Sequence, residues 1–259
     1  ALLEGNFNVD AEEEENIPIA SQDAKSVFTQ DPAVTGEKWI TIDLADYGTD
    51  NAIYLAWNGF DAYDIDIVTN STPRSNAEHA RVFAAKHGIS LSHIIYDATA
   101  GRYFNDYIPE AIPYISAAKP MGIYALSACS VKDLCYLRLC QMIKRGEFTM
   151  SDNVAEKVYT HQNLKYRVTV ENEFLEECSV VRFSETGTGR KRLWSKKEMN
   201  RNLGKGRSMD LLDPCAMRMY PCMNMEYGTE IEQGFSASER ESNEVKPGAI
   251  SIYSRTLWG

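Results

Sequence analysis

Long apolar runs are missing from this chain. No stretch approaches the roughly 20 residues that a bilayer-spanning helix needs, so the sequence offers no membrane segment. Ala1 to Asn6 lacks the basic and apolar regions of a signal peptide and reads as the continuation of an upstream segment. Cysteine is sparse. The six present (Cys129, Cys135, Cys140, Cys178, Cys215 and Cys222) are too scattered for a disulfide framework in 259 residues, and several fall on helix-like apolar faces, as reduced core thiols in a cytosol would. No CxxC pair occurs, and the four histidines (His79, His87, His93, His161) lack zinc spacing, which argues against structural zinc. His79 and His87 read as helix-surface residues. A Walker A sequence and Gly-rich dinucleotide fingerprints are also absent, so neither ATP hydrolysis nor a nucleotide cofactor is expected.

What is there is an ordinary globular composition, 44% hydrophobic and 25% charged, with the length of one α/β domain plus extensions. The net charge of −10 is that of a protein that repels phosphates. Its distribution is uneven. Nine basic residues (Arg182, Arg190, Lys191, Arg192, Lys196, Lys197, Arg201, Lys205, Arg207) lie among only Glu185 and Glu198, a local excess of seven positive charges. Alone, such a stretch is a solvated charged hairpin. Here it runs directly into Asp210 and Asp213, which places cations where an anionic polymer would approach two carboxylates.

Residues 1–36, with the acidic run Glu12 to Glu15 and poor periodicity, read as a linker holding one short helix near Ala24 to Thr29. A folded unit is expected over 37–225 and a partly disordered tail over 226–259. Three strands, Lys38 to Leu44, Asn51 to Trp57 and Tyr63 to Thr69, are joined by short turn-rich connections that favour an antiparallel meander. Ser75 to His87 has helical spacing closed by Gly88, and Ser92 to Tyr96 is a β-branched run expected to return parallel to the meander. Ile112 to Ala117 is a further strand candidate, and Val131 to Arg145 is a strong helix ended by Gly146. Leu164 to Val170 alternates, while Phe174 to Cys178 fits either helix or strand. Val180 to Ser184 and Lys191 to Ser195 form a hairpin around Glu185-Thr186-Gly187-Thr188-Gly189-Arg190, and a last helix spans Asp210 to Met223.

Four acids stand out against this plan. Asp43 and Asp97 each close a short apolar run, where a strand delivers a carboxylate to the sheet edge, and Asp210 and Asp213 sit i, i+3 at a helix start. Carboxylates gathered from distant parts of a chain repel one another unless a cation lies between them. Taken singly, each has a plainer reading: Asp43 and Asp97 as turn formers, Asp210 as an N-cap, Asp213 as a partner of the helix dipole.

Their order resembles the ribonuclease H-like fold, α/β with a central mixed sheet flanked by helices. Within it, the chain looks like the C-terminal nuclease domain of the large terminase subunit of tailed bacteriophages, over roughly Lys38 to Tyr220. The resemblance rests on Ile42-Asp43-Leu44-Ala45-Asp46-Tyr47-Gly48-Thr49-Asp50, on Tyr96-Asp97-Ala98-Thr99-Ala100-Gly101, and on Ser195-Lys196-Lys197-Glu198 through Leu203-Gly204 to Ser208-Met209-Asp210-Leu211-Leu212-Asp213-Pro214-Cys215-Ala216. The chain departs from the family in Met209 and in Pro214-Cys215 after the second late aspartate, which leaves Asp210 and Asp213 both open as the ligand.

The resemblance implies two Mg²⁺ or Mn²⁺ ions, with Asp43 bridging both, Asp97 on one and Asp210 or Asp213 on the other. Asp46 and Asp50 would tune the site from behind, and Arg190, Lys191, Arg192, Lys196, Lys197, Arg201, Lys205 and Arg207 would contact DNA. It further implies an endonuclease that cuts concatemeric double-stranded DNA with low sequence specificity, acting in the host bacterial cytoplasm on the procapsid. Its partners would be an upstream ATPase motor domain, the portal protein and the small terminase subunit. The rival readings are another ribonuclease H-like nuclease such as a resolvase, a packaging module that binds without cutting, and an ordinary small-molecule enzyme.

Overall fold

The computed structural model describes residues 18–29, 31, 36–44, 51–99, 101, 103–161, 166–203 and 209–222. Its centre is a six-stranded mixed sheet. Strand β1 (Lys38–Asp43) is buried over its four middle residues, as its aromatic and β-branched sequence suits. It lies between antiparallel β2 (Asn51–Asn58) and parallel β4 (Ile94–Asp97). β3 (Asp61–Thr69) completes the meander, with a bulge at Ala56/Trp57. β5 (Ile112–Tyr114) and the two-residue β6 (Thr149–Met150) add parallel edges. The mixed sheet expected from the sequence is the one observed. β6 had no sequence signal, because two residues carry no period.

Alternation along β1 splits the core in two. Ile40 and Ile42 pack with Tyr54, Ala77, Ala80 and Phe83 beneath the Pro73–His87 helix. That helix begins in a Thr72/Ser75 capping box and stops at Gly88, whose φ of +62° suits glycine. Trp39 and Thr41 face the other way, where Trp57 Nε1 donates to Thr41 Oγ1 at 2.9 Å. This second face is covered by the helices Val131–Arg145, Val170–Val180 and Leu212–Met217. The expected ambiguity at Phe174 to Cys178 resolves as helix, because Phe174 and Cys178 are four apart and share that core.

The short helix expected near Ala24 to Thr29 forms over Ser21–Ser26. Ile19, Ala24 and Val27 are buried in the same core as the sheet, and Val27 accepts a backbone hydrogen bond from Met150 at 3.0 Å. These three side chains therefore belong to the same packed core as the sheet. Beside the main sheet, β7 (Val158–His161) pairs with β8 (Tyr166–Thr169), and β9 (Phe183–Glu185) pairs with β10 (Lys191–Leu193) as the expected hairpin. The Lys196–Leu203 helix follows, started by reciprocal bonds between Ser195 and Glu198.

Candidate active site

Parallel pairing places the first two acids side by side. Ile42 is registered against Tyr96, so Asp43 and Asp97 emerge together at the carboxyl end of β1 and β4, on the face that carries Trp39, Thr41 and Ile95. The Leu212–Met217 helix packs across β1 and β4 on that face and brings Asp210 and Asp213 to the same place. Burial first, then Asp213, Asp210 and Asp97, push the Asp43 carboxyl well above the usual carboxylate range, with Lys196 pulling back. The other three predicted acids thus all act on Asp43. Asp46, Asp50, Lys205 and Arg207 lie outside the described residues.

Each acid has its own surroundings. Asp97 Oδ1 accepts the Thr99 amide at 2.8 Å, and the loop closes with Gly101 N donating to the Asp97 carbonyl at 2.8 Å. A Cβ on Gly101 would lie 2.3 Å from Leu44 Cδ1 and 2.9 Å from the Asp97 carbonyl oxygen, so glycine is needed for this close approach. Asp97 is therefore a turn former and a neighbour of Asp43 at once. Asp213 is buried and densely held: Tyr136 donates to Oδ1 at 2.5 Å and Lys132 Nζ stands 2.7 Å from it. Burial would raise its carboxyl, but Lys132 and Lys196, with the bonds from Lys132 and Tyr136, keep it below the ordinary range. Asp210 is more open. Lys196 Nζ lies 3.9 Å from Asp210 Oδ1 and 3.7 Å from Asp213 Oδ2. Burial would lower the Lys196 ammonium, yet Asp213, then Asp43 and Asp210, hold it above the usual lysine range.

The helix-cap reading of Asp210 does not hold, because the helix starts at Leu212 with Leu211 as its N-cap. Nor does the dipole reading exhaust Asp213, whose oxygens meet Lys132 and Tyr136. Residues missed from sequence are Lys132, Tyr136 and Glu177. The first two sit in the first two turns of the Val131–Arg145 helix, where sequence reads a surface lysine and a core aromatic. The buried Asp133 beside them accepts the Leu193 amide at 2.9 Å and ties β10 to that helix.

The basic residues spread around this centre. Lys191, Arg192, Lys196, Lys197 and Arg201 are exposed; Lys191 pairs with Glu185 at 2.6 Å, and Arg190 Nε donates to Thr188 Oγ1 at 3.2 Å. Of the set, only Lys196 reaches the acids among the described residues. An open cleft of about 480 Å³ adjoins them, lined by Ser116, Lys132, Arg192, Trp194, Ser195 and Lys196.

The donor set fits a hard divalent cation, since all four acids are carboxylates with mutual repulsion to relieve. Among the described residues no three His, Cys, Asp or Glu side chains stand close enough to hold a metal as they are, and the Lys196 ammonium takes part of that role. Cation binding would need the carboxylates to draw together.

No family model and no curated protein matches the sequence. Among solved structures, the chain is similar to the nuclease domain of the large terminase subunit gp2 of bacterial virus Sf6, with 15% identity and a TM-score of 0.60 over 78% of this chain and 97% of that one. Mutant forms of the same domain match equally, with calcium (14% identity, TM-score 0.61, 78% and 98% covered) and with manganese (14%, 0.60, 78% and 98%). The chain has the fold of a terminase nuclease domain. The ribonuclease H-like architecture read from the sequence is therefore the one it adopts.

Proposed function

We propose that this chain is a metal-dependent endodeoxyribonuclease, the nuclease domain of a phage terminase large subunit that cuts concatemeric double-stranded DNA during genome packaging. The observation that carries this reading is the convergence of Asp43, Asp97, Asp210 and Asp213 at one end of the sheet beside a cleft rimmed by Lys132, Arg192 and Lys196. The fold shared with the Sf6 domain, one form of which contains manganese, supports it.

Asp43, Asp97 and one or both late aspartates would hold the cations. Bound Mg²⁺ or Mn²⁺ supplies polarisation of the phosphoryl oxygens and an acidified nucleophilic water. The chain's own residues do the rest. Lys196 opposes the charge repulsion at Asp43, and Lys132 with Lys196 holds the Asp213 carboxyl below the ordinary range. The cleft admits a strand of backbone, with Arg192 and Lys196 on its wall and Arg190, Lys191, Lys197 and Arg201 beyond for phosphate contacts. Phosphate contacts position DNA without reading bases, so low sequence preference follows. In this reading the upstream ATPase motor, the portal and the small terminase subunit impose the timing, on a procapsid in the bacterial cytoplasm. No described helix is long and apolar enough to cross a membrane.

The test is cleavage of supercoiled plasmid with Mn²⁺, Mg²⁺ or EDTA, beside Asp43→Asn. Nicking and linearisation that need the cation and vanish in the variant are expected. Intact plasmid with every ion, or equal cutting by the variant, would move the non-cutting packaging module ahead.

A further inference from the structure

Glu177 is the most deeply placed acid near this site, fully buried on the Val170–Val180 helix and out of reach of DNA. Its carboxylate gathers three successive backbone amides. Oε1 accepts from Asp210 N at 2.9 Å and Leu211 N at 3.1 Å, while Oε2 accepts from Leu211 N at 3.2 Å and Leu212 N at 2.7 Å. A helix start leaves such amides unpaired, and a preceding Ser, Thr, Asp or Asn normally takes them. Here the N-cap is Leu211, whose side chain has no acceptor to offer. The cap instead comes from 33 to 35 residues upstream.

From this geometry we infer that Glu177 is a positioning residue, resting on the nuclease reading above: it sets the backbone of Asp210 to Leu212 and thereby aims the late aspartates at Asp43. Asp210 supplies one of the bonded amides itself, and Asp213 follows directly after Leu212. Any rotation of this turn moves both carboxylates relative to β1. The Asp213 side chain has a second anchor in Tyr136 and Lys132. A buried acceptor suits this task because it meets three donors at once and resists exchange with water.

The experiment compares wild type, Glu177→Gln, Glu177→Met and the neighbour Glu176→Gln for Mn²⁺ binding by electron paramagnetic resonance, for kcat and KM on DNA, and for thermal unfolding. Glutamine keeps the shape but turns an amide donor toward backbone donors; methionine fills the volume with no carboxylate acceptor. Loss of a group that orients metal ligands costs about 10- to 100-fold. Both Glu177 variants should bind Mn²⁺ at least about tenfold more weakly and lose a similar factor in kcat. KM should stay within about twofold, because the phosphate-contacting residues are untouched. Glu176→Gln should match wild type in all readouts. Wild-type Mn²⁺ affinity in the folded Glu177 variants, or a loss of fold in both, overturns the inference. A wild type that binds Mn²⁺ without cutting overturns the nuclease reading and leaves the affinity comparison to decide Glu177. One that binds no Mn²⁺ overturns both.

Discussion

Replacing Asp43 by asparagine should stabilise the cation-free protein while abolishing cleavage. The substitution preserves shape and removes one negative charge from a place where burial, Asp213, Asp210 and Asp97 all oppose it and only Lys196 favours it. The sign follows from linkage. A carboxyl raised in the folded state loses its proton first in the unfolded chain, so wild-type stability declines as pH rises from about 3.9 through the folded-state value. Above that value the penalty is fully present, and at pH 8 the variant escapes it. Neutralising a buried charge that is repelled by its neighbours gains on the order of 1–3 kcal/mol. Mn²⁺ should offset this advantage, since a ligand at 100 times its dissociation constant stabilises wild type by about 2.7 kcal/mol and the variant by far less. Urea denaturation of both proteins at pH 8 and pH 4, in EDTA and in Mn²⁺, measures this. A variant less stable than wild type in EDTA at pH 8 would refute the reasoning and make Asp43 a structural turn residue.

Three further outcomes are expected. Tyr136→Phe removes a buried bond to the Asp213 carboxylate and should cost about 1.5–3 kcal/mol in urea at neutral pH. Because Asp213 is held below the ordinary range, the stability it contributes is present above the unfolded pKa and is lost as pH falls through its folded value, so the Tyr136→Phe cost should shrink in acid; a cost that grows there would count against this assignment. Gly101→Ala drives a Cβ to 2.3 Å from Leu44 and 2.9 Å from the Asp97 carbonyl, and about 1–3 kcal/mol of destabilisation with reduced cleavage should be seen by thermal denaturation and plasmid assay. An unchanged melting curve would mean the loop yields freely. Arg190→Ala with Arg192→Ala should flatten the dependence of log affinity for DNA on log salt by about 0.9 for each phosphate that is no longer neutralised, read by fluorescence anisotropy over a KCl series. An unaltered slope would place the DNA elsewhere.

The elements legible in the sequence are those whose signals are local. Three closely spaced strands, a helix closed by Gly88 and another by Gly146 need only neighbours within a few residues to be recognised, and the structure has each. The same is true of Asp43 and Asp97, since a strand end and an Asp-x-x-x-Gly loop are short patterns. Glu177 was hidden for the opposite reason. With Glu173 it forms an i, i+4 acidic pair of the kind usual on a solvated helix face, yet both are buried. Lys132 and Tyr136 likewise look ordinary until the last helix packs over them.

Sequence by itself therefore determined the opening meander, the helices closed by Gly88 and Gly146, and the four acids worth watching. Tertiary structure alone decided which charges meet: Lys196 with Asp210 and Asp213, Tyr136 with Asp213 across 77 residues, and Glu177 with the amides of Asp210, Leu211 and Leu212. Backbone periodicity is written within a few residues, whereas the energy of a charge or a buried hydrogen bond depends on partners that only packing brings near.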